Sequence, residues 1–586
     1  MGGPARAQAN EATNIAPQPL RERARELAMI ANAASIETAQ MVAYVTALGW
    51  WDAWVESNGG NPARLRPAAG AIPTPDLPKA AVAQARDFGR DLAAMPVIDA
   101  HTMLGRLYTQ ALPADHRATH GVHYTPAPLL RRLLDQAERA GHDWVGTRTI
   151  DPACGHGAFL IEAASRMLHA LEGADPAIAL NNLATRLRGW DIDPFAAWLA
   201  QVAVELLALP VVLASGRRLG RITEQRDALS DFGDAVGSWD LVMGNPPFGK
   251  VKDYPELRAR FHRSLYGHPN LYGLFTDLAL HLAKPGGGIV AYLTPASFLG
   301  GEYFRKLRRV LHEQAPPVAL DLVESRNDVF ENVLQEVVLS TFRCGRADRS
   351  AMCAVVHASP DGLAIEATGR LALPEEAEAP WTLPRSAADA SLVERLGEMP
   401  TRLADWGYAV STGPLVWNRH KERLHDMPGN GRVPVVWAEA VTPDGRFVLK
   451  ASKRNHQAWY QPRSAGDSNL VERARVLVQR TTAKEQRRRL IATDMPETLL
   501  TRCGQVAIEN HLNMVRPIKR KPEVSRSTLA AFLMTETADR VFRCINASVA
   551  VSASELAAMP LPTAAETNHA MRQPDPDRVL RQIYGL

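Results

Sequence analysis

Cysteine is scarce in this chain. The 586 residues hold five, Cys154, Cys344, Cys353, Cys503 and Cys544, an odd number with no Cys-x-x-Cys pair. That pattern excludes a disulfide framework and a zinc site of ordinary spacing, and it points to a reducing compartment and no metal. Long apolar runs are missing too: nothing approaches the roughly 18 uninterrupted apolar residues of a membrane span. Residues 1–26 carry too much Arg, Glu and Pro for a signal peptide. The expectation is a soluble intracellular protein with no membrane partner. Also absent are a Gly-Lys-Ser/Thr phosphate loop, a Gly-x-Gly-x-x-Gly dinucleotide turn, an internal repeat and a heptad array.

What is present is an ordinary globular composition, 46% hydrophobic and 22% charged, over a length that needs more than one core. The net charge of +4 is the sum of two unlike parts. Residues 401–586 hold 28 Lys+Arg against 18 Asp+Glu, or +10, which leaves 39 against 45, or −6, for residues 1–400. An acidic front and a basic rear suggest that one part carries chemistry and the other meets a polyanion.

From Leu20 to about Ser57, and again from Ala80 to Leu112, apolar residues recur at helical spacing, with the Gly/Pro-rich stretch 58–78 between them. Residues 1–114 therefore read as a helical region of packing or DNA-clamping kind, without a catalytic signature. From Thr147 the pattern becomes short apolar strands alternating with amphipathic helices. Seven strands are expected, at 147–152, 187–192, 221–228, 240–244, 288–293, 318–323 and 336–342. Four helices lie between them, at 158–171, 194–209, 271–283 and 301–313. This is an α/β pattern with a mostly parallel sheet, an antiparallel last pair, and ligands beyond the strands' carboxyl ends. After about Arg346 the alternation gives way to mixed, Pro-punctuated sequence. A mixed domain is expected over 375–586, with a disordered polar tail from Thr563 to Asp577.

Two motifs carry chemistry. Asp151-Pro-Ala153-Cys-Gly155-His-Gly157-Ala-Phe-Leu160 runs from a strand end into a helix. Its glycines let a ligand approach the backbone, and an acid at the strand tip can take an ammonium or hydroxyl. A second acidic strand end follows at Gly189-Trp-Asp191-Ile192-Asp193-Pro194. The other motif is Asn245-Pro246-Pro247-Phe248, at the end of the strand beginning at Asp240. Alone, each motif has a structural explanation; in this order they converge on one crevice. Cys154 and His156 lack an orienting acid for nucleophilic catalysis; they read as packing and as a turn residue.

The ordered set over residues 118–345 resembles the S-adenosylmethionine-dependent N6-adenine DNA methyltransferases of restriction-modification systems. Those enzymes have cofactor motifs, then Asn-Pro-Pro-aromatic, then a carboxyl-terminal recognition domain. The resemblance implies a Rossmann-like, mostly parallel seven-stranded methyltransferase sheet over 115–350 and a target-recognition domain over 375–586. It also implies S-adenosyl-L-methionine as cofactor, double-stranded DNA as substrate and the bacterial cytoplasm as location. Position by position, it puts Thr125 at the cofactor's carboxylate, Asp151 at its ammonium and Asp191 at the ribose hydroxyls. Asp227 would face the adenine amino group, and Phe275 would pack on that ring. Ala153, Gly155, Gly157 and Ile192 belong to the same cofactor surface. Asn245 and Pro246 would accept from the target amine, followed by Pro247, while Phe248 and Phe330 would stack on a flipped base; an ordinary core role for Phe330 stays open.

In the rear part, residues 446–526 hold 18 Lys+Arg against 7 Asp+Glu. Candidate phosphate contacts are Arg487, Arg488, Arg489, Lys519, Arg520 and Lys521. Interspersed Trp437, Trp459, Tyr460, Asn510, His511 and Asn513 could reach base edges. Rival readings are an N4-cytosine methyltransferase, in which Ser usually replaces Asn at the first motif position, a protein glutamine N5-methyltransferase, and an inactive DNA-binding subunit. No Pro-Asp…Glu-x-Lys cleavage motif stands in residues 1–115 or 375–586, so a cognate nuclease is expected as a separate protein.

Overall fold

The computed structural model describes residues 18–32, 35–70, 77–120, 125–251, 255–268, 270–325, 336–359, 362–451, 453, 455–464, 466–481, 488–546 and 550–586. The chain divides into two compact units. One comprises 1–295, 310–351 and 356–365; the other comprises 296–309, 352–355 and 366–586.

The first unit opens with helices α1 (Gln18–Asn32), α2 (Ile36–Ser57), α3 (Lys79–Leu92), α4 (Val97–Ala111) and α5 (Ala114–His120). Each long helical stretch of the sequence is thus broken once, at Ser35, whose hydroxyl caps α2, and at Pro96, which precedes α4. Their apolar faces, including Val42, Trp50, Phe88 and Leu107, form one core with Ile161, Phe195, Trp198 and Leu206 of the helices that flank the sheet.

Next come α6 (Ala127–Arg139), β1 (Thr149–Asp151), α7 (Ala158–Ala170), α8 (Pro176–Arg186), β2 (Leu187–Asp191), α9 (Pro194–Ser215), β3 (Thr223–Gln225), β4 (Leu241–Gly244), α10 (Pro255–Arg260), α11 (Leu271–Leu282), β5 (Ile289–Pro295), α12 (Arg305–Gln314), β6 (Pro317–Ser325), β7 (Val337–Arg343), β8 (Ser350–Ser359) and β9 (Gly362–Ala372). Helices α8 and α9 start where an aspartate caps the first turn and proline follows it, Asp175-Pro176 and Asp193-Pro194. By length and composition α9 could cross a membrane, but 67% of its apolar window is buried within the protein.

The strands form one sheet in the order β3-β2-β1-β4-β5-β7-β6-β8-β9. Pairs β2–β3, β1–β2, β1–β4 and β4–β5 are parallel, while β7 runs antiparallel to both β5 and β6. All seven expected strands are present, and the sheet is α/β and mixed. Two corrections apply. The sheet has nine strands rather than seven, and the last expected pair, β6 and β7, is antiparallel as expected but lies inside the sheet rather than forming its edge. Strands β8 and β9 were both missed: β9 is exposed along most of its length, so it lacks the apolar pattern by which a strand is read, whereas β8 is mostly buried and follows β7 with no helix between them.

In the second unit, β10 (Tyr408–Thr412), β11 (Leu424–His425), β12 (Val433–Val436), β13 (Trp459–Tyr460), β14 (Leu470–Val471), β15 (Val476–Gln479), β16 (Ala492–Asp494), β17 (Val506–Ile508) and β18 (Leu512–Pro517) build two small sheets, β10-β18-β15-β16 and β11-β13-β12-β17-β14. The first is antiparallel throughout. The polar tail is ordered, against expectation. Thr563 and Glu566 form a reciprocal capping box for helix Ala564–Ala570, and the last helix buries Leu580 and Tyr584 in the core of this unit.

Candidate functional site

The carboxyl ends of β1, β2 and β4 bring the two motifs together. Strand β1 is wholly buried, so Asp151 at its tip is 1% exposed. Burial pushes its carboxyl up to about 8, the nearby Asp191 adds to this, and a 3.0 Å bond from the Ala153 N–H opposes it. Across the sheet, Gly244 closes β4 with φ 149°, and a Cβ there would lie 2.7 Å from the Asp151 Oδ1. Glycine at this position is what lets the Asp151 carboxyl sit against the residue preceding Asn245.

The turn after β1 is fastened to the turn after β2. The Gly155 N–H donates to Asp191 Oδ2 at 2.8 Å, and the Asp193 N–H donates to Asp191 Oδ1 at 2.9 Å. Burial raises the Asp191 carboxyl to about 6 against the pull of these bonds. Each oxygen keeps a lone pair for a further donor. At Gly155 a Cβ would meet nothing within 4 Å, whereas at Gly157, with φ 97°, it would meet Ala200 Cα of α9 at 2.8 Å. One glycine leaves open space above the turn; the other allows α7 to pack on α9. Ile192 beside Asp191 is 64% exposed, an apolar surface left uncovered. Asp227 lies two residues beyond β3, exposed. It accepts from the Leu229 N–H at 3.1 Å and the Ser230 hydroxyl at 2.5 Å.

Asn245 is half-buried, and its amide Nδ2 donates to the Thr125 hydroxyl at 2.9 Å. Thr125, expected at the cofactor's carboxylate, thus orients Asn245 and leaves the amide oxygen as the group's acceptor. Pro246 is buried, and Pro247 and Phe248 are half-buried. The Phe248 ring meets Tyr272 edge-on with centroids 6.3 Å apart. The Leu271 N–H donates to the Gly249 carbonyl at 2.7 Å, tying the start of α11 to this segment. Phe275, on α11, is 7% exposed. Phe330 lies outside the described residues. Cys154 is buried beside Gly189, in keeping with a packing role.

In the second unit, Trp437, Tyr460 and Asn513 are each 0% exposed and belong to its interior, so they do not serve as base-contacting groups. Trp437 stacks on His456 at 3.8 Å, Tyr460 bonds Asp467 and Asn469, and Asn513 bonds the Val551 carbonyl. The Trp437 indole N–H, the Tyr460 hydroxyl and the Asn513 amide N–H have intramolecular partners, which composition could not reveal. Arg487 lies outside the described residues. The Arg488 guanidinium donates to the Thr535 carbonyl, and the Arg489 backbone donates to Asp539. Lys519 pairs with Glu523 at 3.0 Å, while Arg520 and Lys521 are exposed.

A cationic cluster was not anticipated. The pairing of Val476 with Val515 sets Arg475 opposite Arg516 on antiparallel strands. Burial, with the guanidiniums of Arg516, Arg473 and Arg526 nearby, holds Arg475 below its usual range. Its Nε is buried with no hydrogen-bond partner among the described residues. Like charges directly opposite one another destabilise a sheet. Only the strand register reveals this pair, since the two arginines stand far apart in sequence.

Residues 186–330 match the model of the Eco57I restriction-modification methylase family. The type II methyltransferase M.BsuBI of Bacillus subtilis is 28% identical over 338 residues, 54% of this chain and 64% of that protein. M.PstI of Providencia stuartii is 26% identical over 349 residues, 58% of this chain and 68% of that protein. The chain thus spans about two thirds of the length of these relatives. Among solved structures, the type IIL restriction-modification enzyme MmeI in complex with DNA matches 97% of this chain and 95% of its own, with a TM-score of 0.55 at 13% identity. By sequence in its central part, and by fold along nearly its whole length, the chain resembles the enzymes of restriction-modification systems.

Proposed function

We propose that the chain is a DNA methyltransferase of a restriction-modification system. It transfers a methyl group from S-adenosylmethionine to N6 of an adenine flipped out of duplex DNA. The observation that carries this reading is the Asn245 amide, held by Thr125 at the end of β4 beside the buried Asp151. The strand order β3-β2-β1-β4-β5-β7-β6 with β7 reversed supports assigning residues 115–350 as a Rossmann-like methyltransferase domain, extended by β8 and β9. Residues 375–586 are then the target-recognition domain, and the cognate endonuclease a separate protein of the same bacterial cytoplasm.

The residues present fit the cofactor. Asp151 offers a buried carboxyl for an ammonium, Asp191 has free lone pairs for two hydroxyls, the space above Gly155 is open, and Ile192 offers an apolar face. Bound S-adenosylmethionine supplies an electrophilic sulfonium methyl. The adenine amine is a poor nucleophile because its lone pair is delocalised into the ring. Asn245 Oδ1 and the Pro246 carbonyl accept from its N–H groups, favour a tetrahedral nitrogen and direct the lone pair outward. Phe248 stacks on the extruded base; such stacking is worth about 1–3 kcal/mol, comparable with the cost of unpairing.

The test is to incubate the protein with labelled S-adenosylmethionine and unmethylated DNA and to analyse the nucleosides. Label in N6-methyladenine is expected; label only in cytosine, or only in protein, overturns the reading. Asn245→Ala should retain cofactor and DNA binding and lose turnover by roughly 10²–10³-fold, the loss expected for removing one oriented polar group.

A further inference from the structure

One face of α4 reaches both turns of the proposed cofactor site. His101, Gly105 and Tyr108 follow one another at helical spacing. His101 is 2% exposed, and its Nε2 donates to the His156 carbonyl at 2.9 Å. His156 Nδ1 lies 3.3 Å from the same nitrogen, and the two rings are 5.0 Å apart. The His156 ring lies directly against Gly105, where a Cβ would come within 2.4 Å of its Cε1. One turn on, Tyr108 is 4% exposed, and its hydroxyl donates to Asp193 Oδ2 at 3.1 Å. Asp193 in turn caps α9 through its Oδ1, which accepts from the Phe195 N–H at 2.9 Å, and its own N–H holds Asp191. The Tyr108 and Phe195 rings pack at 5.4 Å.

Three parts are therefore joined in a closed loop of contacts. Helix α4 holds the Asp151–Gly157 turn through His156, α4 holds the Asp191–Pro194 turn through Asp193, and the two turns hold each other through Gly155 and Asp191. A core helix that merely covered α9 would need only apolar contacts. Instead α4 places two buried polar groups on backbone and carboxylate atoms of the turns themselves, one on each.

We infer that α4 is the positioning element of the cofactor site. His101 and Tyr108 set the spacing of the two turns and thereby the affinity for S-adenosylmethionine. This rests on reading the turns as the cofactor site, and it gives the N-terminal helices a part in the methyl-transfer centre. Neither side chain touches the reacting atoms; both act through His156 and Asp193.

The test uses the full chain with Tyr108→Phe, His101→Leu and His101→Gln, the last of which keeps an N–H for the His156 carbonyl. Dissociation constants for S-adenosylmethionine come from calorimetry, with KM and kcat from methyl transfer, DNA affinity from anisotropy and folding from circular dichroism. Tyr108→Phe and His101→Leu should raise the cofactor Kd and KM about tenfold, the usual effect of losing a hydrogen bond of this kind. Saturating kcat and DNA affinity should hold, and His101→Gln should recover most of the loss. Unchanged cofactor Kd in Tyr108→Phe and His101→Leu, or loss of folding in Tyr108→Phe, overturns the inference alone. Absence of cofactor binding in the unaltered chain overturns the reading of the turns and the inference with it.

Discussion

At Asp151 a single carboxyl joins the architecture of the sheet to the chemistry of the site. Burial at the tip of a central strand pushes it up to about 8, so in the ligand-free protein at pH 7 it holds a proton. Because the folded value is raised above the ordinary 3.8, its stabilising contribution is complete below that value and is lost as pH rises through about 8. An ammonium beside it favours the ionised form. Cofactor binding at pH 7 is therefore expected to release a proton and to tighten as pH rises from 6 to 8, flattening above. Calorimetry in two buffers of different ionisation enthalpy checks this; identical heats in both would remove Asp151 from the ammonium site. The residue types of this site were legible because Asp, Gly and Asn-Pro-Pro at strand ends have few structural substitutes. The Thr125 to Asn245 bond was not, since it joins groups 120 positions apart.

Among the elements, the turn from β1 into α7 separates two uses of glycine. Gly157→Ala places a Cβ 2.8 Å from Ala200 Cα at a positive φ, so it should cost about 1–3 kcal/mol of stability, seen as a lower denaturation midpoint. Gly155→Ala meets no neighbour but also sits at a positive φ of 54°, so it should keep the fold at a cost of about 1–2 kcal/mol from backbone strain alone and weaken cofactor binding by intruding on the open space. Helix α4 adds an acid limit. Burial lowers His101 to about 4 and His156 to about 3, and His142 to about 4. The unfolded chain takes up these protons first, near the ordinary 6.5, so stability is complete above that pH and is lost as pH falls toward 4. Unfolding midpoints followed from pH 7 to 4.5 should fall, and less steeply in His101→Leu. Strands β1 to β7 were legible from apolar runs between helices, as were the main flanking helices. Strand β9 and the terminal helix were not, because an exposed edge strand has no apolar pattern and a short polar helix is settled by its cap and by two buried residues.

Over the whole molecule, the −6 of residues 1–400 falls mainly in the turn-bearing first unit, and the +10 of residues 401–586 lies wholly in the second. The structure redistributes the basic part. Arg488 serves its own fold through Thr535, whereas Arg475 and Arg516 face each other with Arg473 nearby. On the proposed function these arginines meet DNA phosphates. Arg516→Ala should keep or slightly raise stability by removing a like-charge pair. It should also reduce the slope of log K against log salt by about 0.9. DNA titrations at several salt concentrations read this directly, and an unchanged slope would take the cluster out of the interface. Arg488→Ala is expected to do the reverse, lowering stability through the carbonyl it leaves unpaired.

The sequence by itself determined the alternation of strand and helix, the two motif-bearing turns, the Asn245 to Phe248 segment and the division of charge. Each of these is encoded locally, by periodicity or by residue types that few other structures require. Tertiary structure alone decided which strands are neighbours, that β7 lies inside a nine-stranded sheet, that Thr125 orients Asn245, that α4 supports both turns, and which arginines face one another. Those are contacts between residues far apart in the chain. They depend on register and burial, which periodicity does not encode.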